Sequence, residues 1–151
     1  MDKISKKITA AIVIVDDNGN ILGCHSYGKK PNTGYDFPKG CVEEGESDLN
    51  TAIRELQEET GICFSDFDIS KIIDAGVYKH NSEKNIHLFI YKTNQFPPIE
   101  QLKCTSYFER NGKQFPEMDG YKIISINERN MFNKVLQDKF EIIDKYIIKQ
   151  Y

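Results

Sequence analysis

The chain has no apolar run long enough to span a bilayer, and residues 1–9 lack the long apolar core of a secretory leader. It has no surplus of positive charge either. A formal net charge of −3 at pH 7 argues against a protein that grips long nucleic acid by its phosphates. Cysteines are few, and Cys24, Cys41, Cys63 and Cys104 form no C-x-x-C pair. Without a leader they are expected as reduced thiols in a cytoplasmic compartment, and none is needed for chemistry. Internal repeats, low-complexity tracts and domain linkers are also missing. What is there reads as one domain, residues 1–151, with 39% hydrophobic and 28% charged residues and enough chain for a real core.

Acid is concentrated in one place. Residues 40–62, GCVEEGESDLNTAIRELQEETGI, hold Glu43, Glu44, Glu46, Asp48, Glu55, Glu58 and Glu59. Within them Leu49, Ala52, Ile53 and Leu56 recur at i, i+3, i+4 and i+7, one apolar stripe of a helix over residues 49–60. Ser47 is placed to cap its start, and Gly61 to close its end in the left-handed region. At about 100° per residue, Glu55, Glu58 and Glu59 share a face beside that stripe. A solvated acidic face is the plain reading. Like charges crowded beside a buried stripe cost stability, however, and cations between them remove the cost. Carboxylates suit the hard cations Mg²⁺ and Mn²⁺.

The same residues resemble the Nudix box, G-x5-E-x7-R-E-U-x-E-E-x-G-U with U aliphatic. Gly40, Glu46, Arg54, Glu55, Leu56, Glu58, Glu59, Gly61 and Ile62 fill all of its fixed positions at the right spacing. The resemblance implies an enzyme that cleaves a nucleoside diphosphate linked to another group. It also implies an α+β fold, an α/β/α sandwich with a mixed sheet between helices.

The rest of the chain reads compatibly. Residues 6–15, KKITAAIVIV, form a buried strand, DDNGN at 16–20 a hairpin turn, and residues 21–26 the returning strand. Residues 27–34 are a polar loop carrying Lys29 and Lys30, either solvated or in reach of a phosphate. FPKG at 37–40 delivers the chain to the box. Residues 63–70 read as a connection, 71–78 and 85–93 as strands, and 99–116 as a long polar segment with few regular signals. Long irregular loops are often functional. Residues 121–126 form a last strand, and Asn127 caps a helical region, broken near Asn133, that runs to about Gln150.

Hydrolysis of a diphosphate needs positioning and neutralisation of developing charge, which metal ions supply. By resemblance, Glu55, Glu58 and Glu59 hold Mg²⁺ or Mn²⁺ together with the backbone carbonyl of Lys39, whose ammonium could meet a phosphate. Arg54 is expected to orient a box carboxylate by a bidentate pair, and Glu46 to brace the loop. The general base is Glu55 within the box or Glu117 outside it; an exposed turn is the plain reading of Glu117. His25, His80 and His87 show no ligand spacing. Tyr35, Tyr78, Phe89 and Phe108 could stack on a base or simply pack. Tyr78 stands sixteen residues past Ile62, where diadenosine polyphosphate hydrolases tend to carry tyrosine. With FPKG, that points to dinucleoside polyphosphates, with ADP-ribose and related adenine dinucleotides tolerated. RNA 5′-pyrophosphate removal is the alternative, and a non-catalytic nucleotide sensor stands in a different class. The partner is thus a small nucleotide rather than a membrane or long nucleic acid. Monomer and homodimer both stay open.

Overall fold

The computed structural model describes residues 7–63 and 68–147. Parts of the expected connection at 63–70, the first residue of the first strand and the expected helix end near Gln150 lie outside them. The chain order is β1 (Lys7–Val15), β2 (Asn20–Ser26), β3 (Tyr35–Asp36), β4 (Lys39–Cys41), α1 (Asp48–Thr60) and β5 (Ile73–Lys79). There follow β6 (Lys84–Lys92), β7 (Tyr107–Arg110), β8 (Lys113–Pro116), β9 (Met118–Ser125) and α2 (Phe140–Ile147).

The Ala-Ile-Val run makes β1 the central strand, buried from Thr9 to Val15. It pairs in parallel with β6 and antiparallel with β2 and β4. Strand order is β3-β2-β1-β6-β5, with β9 added beside β2, so the sheet is mixed. Alternation along β1 feeds two cores. Ala10, Ile12 and Ile14 pack with Leu22, Ala52, Leu56 and Phe89 under α1. Ala11, Val13 and Val15 pack with Phe37, Ile86, Leu88, Phe140 and Ile143 under α2. Helices therefore cover both faces, giving the α/β/α sandwich. No helix of the described residues is long and apolar enough to cross a membrane, and Cys24, Cys41 and Cys104 are free thiols.

Two segments differ from the sequence reading. The C-terminal helical region breaks at Asn133 as expected, but Asn127 is not its cap: Ser125 accepts the Asn127 amide and opens a 3₁₀ turn at Ile126–Met131. A second 3₁₀ turn at Lys134–Lys139 leads into the short α2. The irregular segment at 99–116 holds a separate two-stranded hairpin, β7–β8. Its turn residues Asn111 and Gly112 both have positive φ, 55° and 78°, as a type I′ turn requires. The Asn-Gly pair was the available signal. Long polar flanks obscured it.

Candidate active site

Ser47, in extended conformation, accepts the Asn50 amide and starts α1. Gly61, at φ 77°, returns its amide to the Gln57 carbonyl and ends it. Burial of Ala52 and Leu56 against β1 seats the helix and brings its carboxylates over β4. A methyl group at Gly40 would land on the Glu55 carboxylate, so the first box glycine is a spacing requirement.

Glu59 is fully buried. Its Oε2 accepts the Lys39 amide at 3.3 Å, while its Oε1 meets no hydrogen-bond donor among the described residues. Burial first, then the neighbouring Glu55 carboxyl, pushes the Glu59 carboxyl far above the usual carboxylate range. The Ile12 amide bonds Pro38 O at 3.1 Å and the Val42 amide bonds Ile8 O at 2.9 Å. By antiparallel alternation, Lys39 turns its own N–H and C=O away from β1, onto the edge that Glu59 occupies.

Arg54 gathers the remaining acids. Its Nε and Nη2 donate to Glu46 at 2.8 and 3.0 Å, and its Nη1 donates to Glu55 and Glu58 at 3.0 and 3.1 Å. Glu46 also accepts from the Thr51 hydroxyl and the Glu43 amide, and Arg54 holds its carboxyl down to about 2. Glu46 thus ties the loop to the helix. The backbone of the acidic turn is fixed from outside α1. The Thr105 amide donates to Glu58 O at 2.6 Å and the Tyr121 hydroxyl to Glu59 O at 2.5 Å.

Glu117 stands exposed on the rim between β8 and β9. Partial burial, then the charges of Glu55 and Glu58, raises its carboxyl, and Lys39 pulls it back. The structure therefore brings Lys39, Glu55, Glu58, Glu59 and Glu117 into one electrostatic neighbourhood. Tyr78 is not part of it. Its hydroxyl donates to Ala75 O at 2.5 Å, and its ring packs on the core beneath α2, on the face opposite α1. The Lys39 ammonium already has a partner, Asp36, at 3.0 Å. Asp36 went unnoticed in the sequence because strands as short as β3 and β4 carry no periodic signal.

The donor set is all oxygen, which suits Mg²⁺ or Mn²⁺. The unpartnered Oε1 of Glu59 is the observation that fits a cation best, since a buried acceptor left alone is costly. Among the described residues no three His, Cys, Asp or Glu side chains stand at metal-holding spacing, and the Arg54 guanidinium bonds both Glu55 and Glu58.

The fold and this acidic cleft define a class of protein, and comparison with known proteins gives its name. The family model described as NUDIX domain matches residues 5–146. The chain is 34% identical over 131 residues to an uncharacterized 17.7 kDa protein of Enterobacteria phage T4, covering 79% of this chain and 82% of that one. It is 39% identical over 101 residues to mRNA decapping complex subunit 2 of Schizosaccharomyces pombe, covering 66% of this chain but only 12% of that protein. Among solved structures, the NUDIX domain of Shewanella oneidensis NrtR, complexed with ADP ribose, superposes with a TM-score of 0.66. That match has 12% identity and covers 97% of this chain and 91% of that one. The chain belongs to the Nudix family, and it is a hydrolase of phosphorus-containing anhydrides.

Proposed function

We propose that the protein cleaves, with a divalent cation, the diphosphate linkage between a nucleotide and a second group. The observation that carries this reading is the buried, half-unpartnered carboxylate of Glu59 beside Glu55 and Glu58. In it, Glu55, Glu58, Glu59 and the Lys39 carbonyl hold Mg²⁺, with Mn²⁺ an adequate substitute. A bound cation neutralises charge on the phosphates as the leaving oxygen develops it. Glu117 takes the proton from the attacking water: it is exposed, and its carboxyl is raised towards the pH at which a base works best. Glu55 is the less available base, because Arg54 and Gly40 fix it in place.

Two substrate readings share this chemistry. Dinucleoside polyphosphates are the first, and with Tyr78 turned to the core that choice rests on FPKG. The 5′-phosphorylated end of RNA is the second, favoured by the mRNA decapping relative and by the exposed hairpin beside Glu117. A panel of diadenosine tetraphosphate, ADP-ribose and 5′-triphosphorylated RNA, with products identified chromatographically, tests the reading. Turnover with Mg²⁺ that chelation abolishes is the expected result. Binding of panel members without cleavage at any metal concentration would establish a nucleotide sensor instead.

A further inference from the structure

The hairpin β7–β8 belongs to neither core. It forms its own two-stranded sheet, and its rings pack on Tyr27, the first residue of the loop after β2. Tyr27 lies 5.1 Å from Phe115 and 5.9 Å from Phe108, centroid to centroid, and the two phenylalanines are 5.8 Å apart. This aromatic group is not closed off from solvent: Tyr27 is 39% exposed. Arg110 lies over the Phe108 ring at 5.4 Å. The group is also joined to the cleft. The Glu117 amide donates to Ser106 O and the Tyr27 amide to Glu117 O, each at 3.0 Å, so the same backbone bonds place the rings and the carboxylate.

Charge here runs against the rest of the molecule. In a chain of net charge −3, the exposed Lys29 and Lys30 follow Tyr27, and Arg110 faces Lys113 at the hairpin tip, with Glu109 the one acid beside them on that strand. Exposed rings beside cations are the two elements from which single-strand nucleic-acid surfaces are built, rings for bases and cations for phosphates. The position of the cations identifies the strand. Phe108 pairs with Phe115, and by strand alternation they share a hairpin face with Arg110 and Lys113, which lie two register steps further from Glu117, about 7 Å along the ladder. In a dinucleoside polyphosphate all phosphates lie between the two bases, at the carboxylates. Cations beyond the rings suit phosphates beyond the first base, which a chain continued through phosphodiesters supplies.

We propose that β7–β8 and Tyr27 form a platform for the first bases and phosphodiesters of a single-stranded oligonucleotide whose 5′ phosphates enter the carboxylate cleft. The inference rests on the pyrophosphohydrolase reading and names the substrate class of that site. Its test is direct binding, which needs no turnover. Fluorescence anisotropy with a labelled six-nucleotide RNA bearing a 5′-monophosphate, in Mg²⁺, compares wild type with Tyr27→Ser and with Arg110→Gln/Lys113→Gln. All three replaced side chains are exposed, and equal melting curves verify the fold. Loss of a stacking ring is expected to weaken binding about tenfold. Loss of two cations is expected to reduce the salt slope, at about 0.7 per phosphate contact, by about 1.4. The same double variant should lose more catalytic efficiency on 5′-triphosphorylated RNA than on diadenosine tetraphosphate. Wild-type binding and salt slope in both variants would overturn the platform. So would an equal loss on both substrates, which would make the surface a nucleoside pocket. Intact RNA binding in a protein that cleaves no anhydride would uphold the platform and refute the hydrolase reading, so the two failures are distinguishable.

Discussion

Lys39 carries an ammonium 3.0 Å from Asp36, a carboxylate that is only 7% exposed. Removing one member of such a pair leaves the other buried and uncompensated. Lys39→Ala should therefore cost about 3 kcal/mol of stability, the low end of the range for buried pairs because the ammonium keeps some solvent contact. Any loss of substrate affinity comes on top of that. Chemical denaturation of Lys39→Ala and of Lys39→Ala/Asp36→Asn checks this, the double variant recovering most of the loss. Tyr78 makes a parallel case. With its hydroxyl on Ala75 and its ring half-buried on the core, Tyr78→Ala should lower stability by about 2 kcal/mol and reduce turnover of every substrate alike. A penalty confined to two-base substrates would return the ring to recognition. The acidic residues were legible in the sequence because their spacing is a property of one helix. The partners of Lys39 and Tyr78 were not, since each depends on which strands become neighbours.

Helix α1 was readable down to its caps: the stripe, Ser47 and Gly61 all act within one turn of chain. How it is held to the sheet was not. His87 on β6 donates from Nδ1 to Asp48 in the first turn of α1 and from Nε2 to Asp74 on β5, both at 2.7 Å. Two ring nitrogens facing two carboxylates require the imidazolium, and those carboxylates raise the His87 pKa against the opposing effect of burial. A raised basic group contributes stability that is fully present below its unfolded value of about 6.5 and lost as pH rises through the higher folded value. The wild-type melting temperature should fall between pH 5.5 and 8.5 by more than that of His87→Gln; equal falls would show that the clamp does not titrate there. Gly40 offers a second test of helix seating. Gly40→Ala places a methyl on the Glu55 carboxylate, so helix or strand must move, at about 1–3 kcal/mol and at least a tenfold loss of turnover. Wild-type activity in that variant would mean that the close approach is incidental.

At the scale of the whole molecule, alternation along one buried strand sets the architecture. β1 sends Ala10, Ile12 and Ile14 to α1 and Ala11, Val13 and Val15 to α2, which is why one acidic helix and one terminal helix suffice for a sandwich. The α+β class and the two helices follow from that pattern and from the box. Missing from the sequence view were the pairings of β3, β4 and the β7–β8 hairpin, elements too short for periodicity to register. Those same short elements carry Asp36, Lys39 and the approach to Glu117, so the cleft is assembled where the sequence is least periodic. The central claim is that the α1 carboxylates work through a divalent cation. Turnover of the best panel substrate, followed against free Mg²⁺ for wild type and Glu58→Gln, tests it most directly. Wild-type turnover should rise from zero in chelator to saturation. Glu58→Gln, folded and as stable as wild type without metal, should remain at least a hundredfold slower at saturating Mg²⁺. Turnover that survives chelation, or a Glu58→Gln curve superimposed on wild type, would contradict the account.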